Sequence, residues 1–233
     1  MKLATLAELN AERAARRPAI IITDVATGEQ RLVKQKDFVI DPLREELATA
    51  LRMGKSGSVE VAAKKLFLNV YAPTARLVVI GAVHISQALA PIAQSLGYDV
   101  TVVDPRTAFA SPERFPGVPL IAEWPDEALP PLNIDHYTAF VALTHDPKID
   151  DPALLHAFER GCFYIGALGS RKTHAKRAER LKGQGAKDSD VAKIHAPIGL
   201  AIGAVSPSEI AVSIMAEITA QLRLPAKQKE QAA

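Results

Sequence analysis

Residues 76–106, RLVVIGAVHISQALAPIAQSLGYDVTVVDPR, decide the fold of most of the chain. The run 76–81 is continuously apolar and ends in glycine, which is typical of a strand buried on both faces of a parallel sheet. A helical pattern of apolar residues follows, and a second apolar strand over 99–103 ends at Asp104. This strand–helix–strand unit predicts a parallel sheet covered by helices.

The same alternation continues towards the C-terminus. Further strands are predicted over 119–122, 138–144 and 162–166, and helices over 151–160, 170–182, 188–194 and 207–222. Ser206, Pro207 and Glu209 form a capping box with proline at the first helical position. Alternating strands and helices indicate an α/β fold with a Rossmann-like, doubly wound parallel sheet over residues 73–225.

The first part of the chain has a different pattern. Two β-rich runs, 19–25 and 30–34, flank a glycine turn and predict a hairpin. A helix is expected from Asp41–Pro42, followed by strands near 59–61 and 65–71. We therefore predict a small α+β domain over residues 1–72, and a short flexible polar tail over 226–233.

Composition excludes several classes of protein. The 233 residues are 48% hydrophobic and 23% charged, which suits a globular protein, and the net charge of +2 is too balanced for one that coats nucleic acid. A single cysteine excludes a disulfide framework. With no membrane-length apolar run and no secretion-signal pattern, we expect a cytoplasmic protein without nucleic-acid or membrane partners.

The turn after the first parallel strand is the first candidate site. A dinucleotide-binding turn has the pattern G-x-G-x-x-G; here Gly81 fills the first position and Val83 the second. The helix that begins at His84 offers free N–H groups to an anion. Asp104 stands where a ribose-binding acid would lie, and Arg106 follows it. The alternative is a Rossmann-type turn that binds no nucleotide.

Two further candidates follow later strands. Thr144, His145 and Asp146 come directly after a predicted strand, where ligands of open α/β sheets bind, although they could merely cap the next turn. Another strand leads into a glycine-rich turn and two cations at a helix start, which indicates an anion site. This second group, the anion loop, comprises Gly166, Gly169, Ser170, Arg171 and Lys172.

The basic helix continues beyond the anion loop, and we expect its later cations, Lys176, Arg177, Arg180 and Lys182, to face solvent or an acidic partner. A fourth candidate is the apolar loop 194–203, where His195 and Pro197 would face a ligand unless His195 only bonds backbone. No histidine pair has short metal-ligand spacing, so we predict no metal site. Cys162 is expected to be an inert buried thiol.

Four stretches together carry a family resemblance. They are residues 76–106, LTHDPKIDDPAL (143–154), YIGALGSRKTHAKRAERL (164–181) and IHAPIGLAIGAVSPSEIAVSIMAEI (194–218). They resemble the XdhC/CoxI family, the maturation factors of xanthine dehydrogenase, carbon monoxide dehydrogenase and related molybdenum hydroxylases. The resemblance covers most of residues 76–223 and is weaker in 1–72.

The resemblance implies a Rossmann-like C-terminal domain and a shortened N-terminal domain. It implies binding of the molybdenum cofactor, as molybdopterin or its dinucleotide form, while a cofactor-sulfurating enzyme installs the terminal sulfur. It also implies delivery to an apo molybdenum hydroxylase, and a homodimer. On this basis the protein is a cofactor-binding chaperone, and we assign no catalytic residue.

Three positions depart from the family pattern. Val83 replaces the usual second glycine, Ser58 stands where a cysteine is common, and Ala201 stands where an aspartate is common. These departures leave open a specialised member, or one that binds another nucleotide such as FAD. One alternative is an FAD- or NAD(P)-binding protein. It would act either as an oxidoreductase, with His145 or His195 as proton donor, or as a flavin carrier. The other alternative is an interaction domain without a ligand.

Overall fold

The computed structural model describes residues 1–225 and 228, and the chain divides into two compact units. The N-terminal unit is Met1–Pro73, and the second unit begins at Thr74. The tail predicted over 226–233 lies, apart from Gln228, outside the described residues.

The N-terminal unit contains one antiparallel sheet with strand order β2-β1-β4-β3. The hairpin predicted around the glycine turn is confirmed, whereas the helix expected from Asp41 begins at Arg44 after a 3-10 turn over Gln35–Ile40. Ile20, Leu47 and Leu68 are almost fully buried in its core. Its elements are α1 (Leu3–Ala14), β1 (Ala19–Asp24), β2 (Gln30–Lys34), α2 (Arg44–Met53), β3 (Gly57–Val61) and β4 (Lys64–Tyr71).

The second unit contains six parallel strands, so the predicted Rossmann-like α/β fold is confirmed. Its strands are β5 (Arg76–Ile80), β6 (Asp99–Val103), β7 (Leu120–Ile121), β8 (Thr138–Ala142), β9 (Tyr164–Ala167) and β10 (Ile194–His195). Its helices are α3 (His84–Ser95), α4 (Pro125–Leu132), α5 (Pro147–Arg160), α6 (Arg171–Gly183), α7 (Asp188–Val191) and α8 (Pro207–Arg223). We call this part the Rossmann unit.

The strand order β10-β9-β8-β5-β6-β7 places the topological switch point between β5 and β8. The chain leaves β5 towards β6 on one side and leaves β8 towards β9 on the other. The connections after these two strands therefore diverge and open a crevice at the carboxyl ends, where ligands of such sheets bind. We call these carboxyl ends the rim.

Helices cover both faces of this sheet, as the continuous apolar strands predict. Leu77 and Val79 of β5 belong to a core that includes residues of α3 and α8, such as Leu89 and Ile214. The alternate residues of β5, including Ile80, belong to a second core with residues of α4, α5 and α6. Because successive side chains of a strand point to opposite faces, one apolar run supplies both cores.

Two elements of the Rossmann unit were not predicted from the sequence. Helix α4 contains Pro130 and Pro131, which cannot donate backbone hydrogen bonds, so the sequence there does not indicate a helix. Strand β10 has only two residues and pairs with Ile165 and Gly166 of β9. A strand this short has no detectable alternation.

Within residues 1–225 and 228, none of the helices has the length and apolar composition needed to cross a lipid bilayer.

The capping box predicted for α8 is present and offers a stability test. The hydroxyl of Ser206 accepts the N–H of Glu209, whose carboxylate accepts the N–H of Ser206 at 2.8 Å. We expect Ser206→Ala to lower the free energy of unfolding by about 1 kcal/mol, because one helix N–H loses its partner. The control Ser208→Ala, also exposed in the first turn, should change it by less than about 0.5 kcal/mol. Urea unfolding followed by fluorescence of Trp124, the only tryptophan, reports on the Rossmann unit; equal losses in both variants would contradict the prediction.

Candidate functional site

Gly81 brings the two switch-point connections into contact. Its φ angle is +108°, and a Cβ atom there would lie 2.8 Å from the Thr144 Cγ2 atom and 3.3 Å from the Thr144 nitrogen. Only glycine combines this backbone conformation with so close an approach. The first glycine of the predicted turn is therefore required by the contact between the β5 and β8 connections.

The remainder of this turn differs from a dinucleotide-binding turn. Val83 is extended (φ −98°, ψ 175°) and is the N-cap of α3, and no side chain caps the helix. Ser86, at the third glycine position, is fully buried and its hydroxyl donates to the Gly81 carbonyl. His84 is exposed at the first helical position. The helix start is thus open to an anion, but the half-buried Val83 side chain stands where a pyrophosphate would approach.

Asp104 lies at the end of β6 but is fully buried. Its carboxylate accepts the Ala82 N–H at 2.7 Å and two guanidinium bonds from Arg106, at 2.8 and 2.9 Å. Burial raises the pKa of Asp104, but the bonds from Arg106 and the Ala82 N–H outweigh this effect and lower the pKa overall. Asp104 therefore ties β6 to the β5 turn, and the partly exposed Arg106 is the group that this strand end presents to a ligand.

Sequence inspection missed Arg114, which fastens the connection after β6 onto the same turn. Its guanidinium donates to the Ala82 carbonyl at 2.9 Å, to the Phe109 carbonyl at 2.8 Å and to the Gln87 side chain at 2.9 Å. It also lies 5.7 Å from the Phe109 ring centroid. No local pattern marks this residue, because two of its partners, Ala82 and Gln87, lie in a turn and a helix distant in sequence.

Thr144 and His145 are held by an aspartate on α5, and Asp146 caps that helix. Asp150, which is 1% exposed, accepts the Thr144 hydroxyl at 2.7 Å and the His145 N–H at 3.0 Å. Asp146 caps α5 by accepting the Lys148 N–H at 2.9 Å. This is the capping role that the sequence offered as the alternative to ligand binding. His145 has φ +62° and an exposed side chain, so it is the member of this group that remains open to a ligand.

Two cations of α6 contradict the expectation of a fully solvated basic helix. Arg177 is 2% exposed and donates to the Leu168 carbonyl at 2.7 Å. Arg180 makes two bonds to the buried Asp151, at 2.6 and 3.0 Å. The prediction for Arg177 and Arg180 is wrong because α5 places two acidic residues beneath this face of α6.

The anion loop separates into capping and free groups. Gly169 has φ +132°, and the Ser170 hydroxyl caps α6 by accepting the Thr173 N–H at 3.2 Å. Arg171 and Lys172 are exposed and form no ion pair within the described part of the chain. Two uncompensated cations at a helix start favour an anionic ligand, because the helix dipole already makes that end positive.

A cavity of about 670 Å³ lies beside the edge strand β10. Arg171 of the anion loop and His195 of the fourth candidate both line it, so the structure brings these two predictions together. Gly166 lies beneath: a Cβ atom there would come within 2.5 Å of Ile198. Besides Arg171 and His195, the wall comprises Leu168, residues 192–194 with the charged Lys193, residues 196–204 (including Pro197), Ile210, Ser213 and Glu217.

Glu217 is a second residue that sequence inspection missed. It lies on α8, is 5% exposed and bonds to Tyr164, His195 and the Gly199 N–H. The available signal was a charged residue on the buried face of an apolar helix, where an unpaired carboxylate would be costly.

Cys162 is half-buried, and burial raises the pKa of its thiol to about 12, which suits an inert side chain.

The candidate residues thus form two groups along one rim. The switch-point group consists of Gly81, Arg106 and His145. The edge group consists of Arg171 and His195. From β10 to β5 there are three strand spacings, or roughly 14 Å. No group of three His, Cys, Asp or Glu side chains among residues 1–225 and 228 is arranged to hold a metal ion.

Comparison with known proteins decides the family. The family model described as the XdhC Rossmann domain matches residues 77–218. The chain belongs to the XdhC family. Its relatives include the Escherichia coli protein named Uncharacterized protein YqeB, which is 33% identical over 72% of this chain and 32% of its own length.

Two further XdhC relatives have informative names. One from Bacillus subtilis, named as a probable xanthine dehydrogenase subunit, is 34% identical over 66% of this chain and 44% of its own. Another from Escherichia coli, named molybdenum cofactor insertion chaperone PaoD, is 32% identical over 66% of this chain and 42% of its own. The chain therefore spans less than half the length of these curated relatives.

A solved structure shares the fold of this XdhC-family chain. It is described as a xanthine dehydrogenase from Bacillus halodurans, with a TM-score of 0.67 and 24% identity. The match covers 98% of this chain and 68% of the other. At this identity the likeness shows the fold alone.

The contact at Gly81 predicts a specific stability loss. We expect Gly81→Ala to destabilise the Rossmann unit by about 2–5 kcal/mol, because it adds an overpacked contact with Thr144 to the cost of a positive φ. The matched control is Gly97→Ala, with φ +83° and no atom within 4 Å of an added Cβ, which should cost about 1–2 kcal/mol. Urea unfolding monitored at Trp124 gives both values, and similar losses would refute the close approach.

The ion pair of Asp104 predicts a pH-dependent loss. The pKa of Asp104 is lower in the folded state than in the unfolded state, where it is about 3.9. The ionised carboxylate therefore stabilises the fold above that unfolded-state pKa, and this contribution is lost as pH falls through the folded-state pKa. We expect Asp104→Asn to cost about 2–3 kcal/mol at pH 7, below the cost for a fully buried pair because Arg106 is partly exposed. The difference between wild type and variant should shrink below about pH 4. Urea unfolding from pH 3 to 7 measures it, and a constant difference would contradict the assignment.

Proposed function

We propose that this XdhC-family chain is a maturation factor that binds the molybdenum cofactor and passes it to an apo molybdenum hydroxylase. The observation that carries the proposal is the rim cavity of about 670 Å³, lined by both Arg171 and His195. Its size and its combination of apolar side chains with convergent polar groups suit a heterocyclic ligand. When bound, the cofactor supplies the molybdenum chemistry of the client enzyme, and this chain holds and releases it.

The names of the relatives support this proposal. PaoD is named as a molybdenum cofactor insertion chaperone, and the Bacillus subtilis relative as a probable xanthine dehydrogenase subunit. Their similarity to this chain lies over about two thirds of its length. The client enzyme of this chain, its use of a sulfurating enzyme and its homodimeric state are part of the proposal.

The anion loop would hold the phosphate of the cofactor. Arg171 and Lys172 are exposed cations without ion pairs in the described residues, and α6 begins beside them. A guanidinium can donate two parallel hydrogen bonds to a phosphate, which fixes orientation as well as charge. The buried Arg177 supports the loop by donating to the Leu168 carbonyl.

The edge of the cavity would hold the pterin ring. The loop 196–204 contributes apolar side chains and backbone, and His195 contributes a polar ring. These groups fit a flat heterocycle whose edge carries hydrogen-bonding groups. The residues of the cavity wall therefore fit a phosphorylated pterin.

The switch-point group supports the dinucleotide form of the cofactor. It lies roughly 14 Å along the rim from the edge group, a span that an extended dinucleotide can bridge. Arg106 and the open start of α3 would meet its second phosphorylated end. Val83 argues against a pyrophosphate resting on the turn itself, so the nucleotide would lie nearer Arg106 and His145.

One observation favours a second candidate, the dinucleotide NADP, whose ribose 2′-phosphate distinguishes it from FAD, the other alternative. In Rossmann folds an arginine near the end of the second strand accommodates a ribose 2′-phosphate, and Arg106 occupies this place while Asp104 is buried. An oxidoreductase or flavin carrier would then use the switch-point group alone. Titration of the purified chain with NADPH and FAD separates this candidate from the first.

Replacing Arg171 tests the anion loop. We expect Arg171→Ala to weaken binding of molybdopterin by about tenfold to a hundredfold, because a charge-assisted hydrogen bond to phosphate is lost. Lys176→Ala is the matched control, since Lys176 is an exposed cation of the same helix outside the cavity wall. Affinity is measured with cofactor released from a molybdenum hydroxylase under anaerobic conditions. Equal affinities of wild type and Arg171→Ala would remove the anion loop from the site.

Transfer is tested separately from binding. Cofactor-loaded protein mixed with an apo molybdenum hydroxylase from the same organism should restore its activity faster than free cofactor at the same concentration. Loaded protein that retains its cofactor, or activates no faster than free cofactor, would refute the maturation role even if binding is tight.

A further inference from the structure

The strongest unexplained feature of the cavity is a buried carboxylate–imidazole pair. Glu217 Oε1 lies 2.9 Å from His195 Nδ1, and Glu217 Oε2 accepts the Gly199 N–H at 2.8 Å. The Tyr164 hydroxyl donates to the same Oε2 atom. Three elements, β9, β10 and α8, and the loop after β10 therefore meet at one side chain that is 5% exposed.

The charge of Glu217 determines where the His195 proton lies. Burial raises the pKa of Glu217, but the hydrogen bonds from His195 and Tyr164 and the Gly199 N–H outweigh this effect and lower it overall. An ionised carboxylate only accepts hydrogen bonds, so the Nδ1 atom of His195 must carry the hydrogen. In the neutral ring the opposite nitrogen, Nε2, is then an acceptor.

Tyr164 fixes the plane of the same imidazole. The two rings stack with centroids 4.7 Å apart and an angle of 27° between their planes. Burial raises the pKa of Tyr164 well above its ordinary value, so its hydroxyl stays protonated as a donor to Glu217. The ring of His195 is thus held by its Nδ1 edge and by one face.

Glycines allow this close packing. A Cβ atom at Gly166 would lie 2.7 Å from the Tyr164 hydroxyl, and one at Gly199 would lie 2.3 Å from the Ser213 Oγ atom. Gly199 also has φ +88°. The loop that supplies one of the three donors to Glu217 is therefore pressed against α8.

The free side of the ring belongs to the cavity. His195 lines the same wall as Arg171, and its side chain is 21% exposed. Its Nε2 atom has no hydrogen-bond partner among residues 1–225 and 228. An oriented acceptor and a cation thus line one cavity, a combination suited to a ligand with a hydrogen-bond donor on one part and an anionic group on another.

We propose that Glu217 is a positioning residue that holds His195 as the Nδ1–H tautomer, so that Nε2 accepts a hydrogen bond from a ring N–H of a bound heterocycle. Arg171 faces an anionic substituent of the same ligand. The ligand class, a phosphorylated heterocycle with a ring N–H, rests on the proposed function. The tautomer of His195 and the role of Glu217 do not rest on the proposed function.

The tautomer is measured on the full chain without ligand. Heteronuclear NMR of the imidazole nitrogens, at a pH on the neutral plateau of His195, distinguishes the two tautomers. We expect hydrogen on Nδ1 in the wild type. In Glu217→Gln, the amide oxygen would take the two donors at the Oε2 position, so the amide N–H₂ would face Nδ1 and move the hydrogen of His195 to Nε2.

Controls separate this effect from general disturbance. Glu209→Gln replaces a glutamate of the same helix at a capping-box position that tolerates glutamine, and it should leave the Nδ1–H tautomer unchanged. Tyr164→Phe leaves the carboxylate on Nδ1 and should also leave it unchanged. Hydrogen on Nε2 in the wild type, or an unchanged tautomer in a folded Glu217→Gln variant, overturns the proposal. If that variant does not fold, hydrogen on Nδ1 in both the wild type and Tyr164→Phe supports the carboxylate as the group that sets the tautomer, and hydrogen on Nε2 in either overturns the proposal.

The proposed ligand class is tested by measuring the binding of neopterin monophosphate, with pterin fluorescence as the readout. We expect Glu217→Gln to weaken binding by tenfold or more, and Glu209→Gln to have no effect. Equal affinity of wild type and Glu217→Gln overturns the acceptor role of Nε2. No binding to the wild type contradicts the ligand class and the pterin part of the proposed function, whereas the tautomer result is decided by its own spectra.

Discussion

The close approach of Gly81 to Thr144 is the constraint on which the rim depends. Strands β5 and β8 pair along their length and then diverge, and the absence of a side chain at Gly81 lets their connections stay in contact at this point. Asp104 and Arg114 then bind the β5 turn from the other side, through the Ala82 N–H and carbonyl. The crevice is therefore shaped by fixed backbone, and Arg106 and His145 stand at its margins.

The division between structural and free polar groups explains the chemistry available at the rim. Ser170 and Asp146 cap helices, and Asp104 and Asp150 hold backbone. Few groups remain for a ligand, and those that do are cationic or imidazole side chains at the surface. A site of this kind would hold an anionic molecule through a small number of contacts, which suits the proposed transfer of a cofactor to a client enzyme.

Most of the Rossmann fold could be predicted from the sequence, since residues 77–80 are buried in the sheet and form a continuous apolar run. Helix α4 could not be predicted because Pro130 and Pro131 are atypical of a helix. Strand β10 could not be predicted because two residues are too few to show an alternating pattern. For the site, local motifs located Arg171 and His195. Glu217 and Arg114 are recognisable only through partners that are distant in sequence, and Arg177 was wrongly placed in solvent because its acidic neighbours lie on another helix.

The buried guanidinium of Arg177 also lies between the two groups of the rim. It donates to the Leu168 carbonyl, between Gly166 and Gly169 of the anion loop, and it interacts with the charge of Asp150, which holds Thr144 and His145. Burial lowers the pKa of Arg177 and raises that of Asp150, and the opposite charge of each residue offsets part of this effect on the other. Removing either charge would take away part of what offsets the burial of the other, so the ends of β8 and β9 share one electrostatic support.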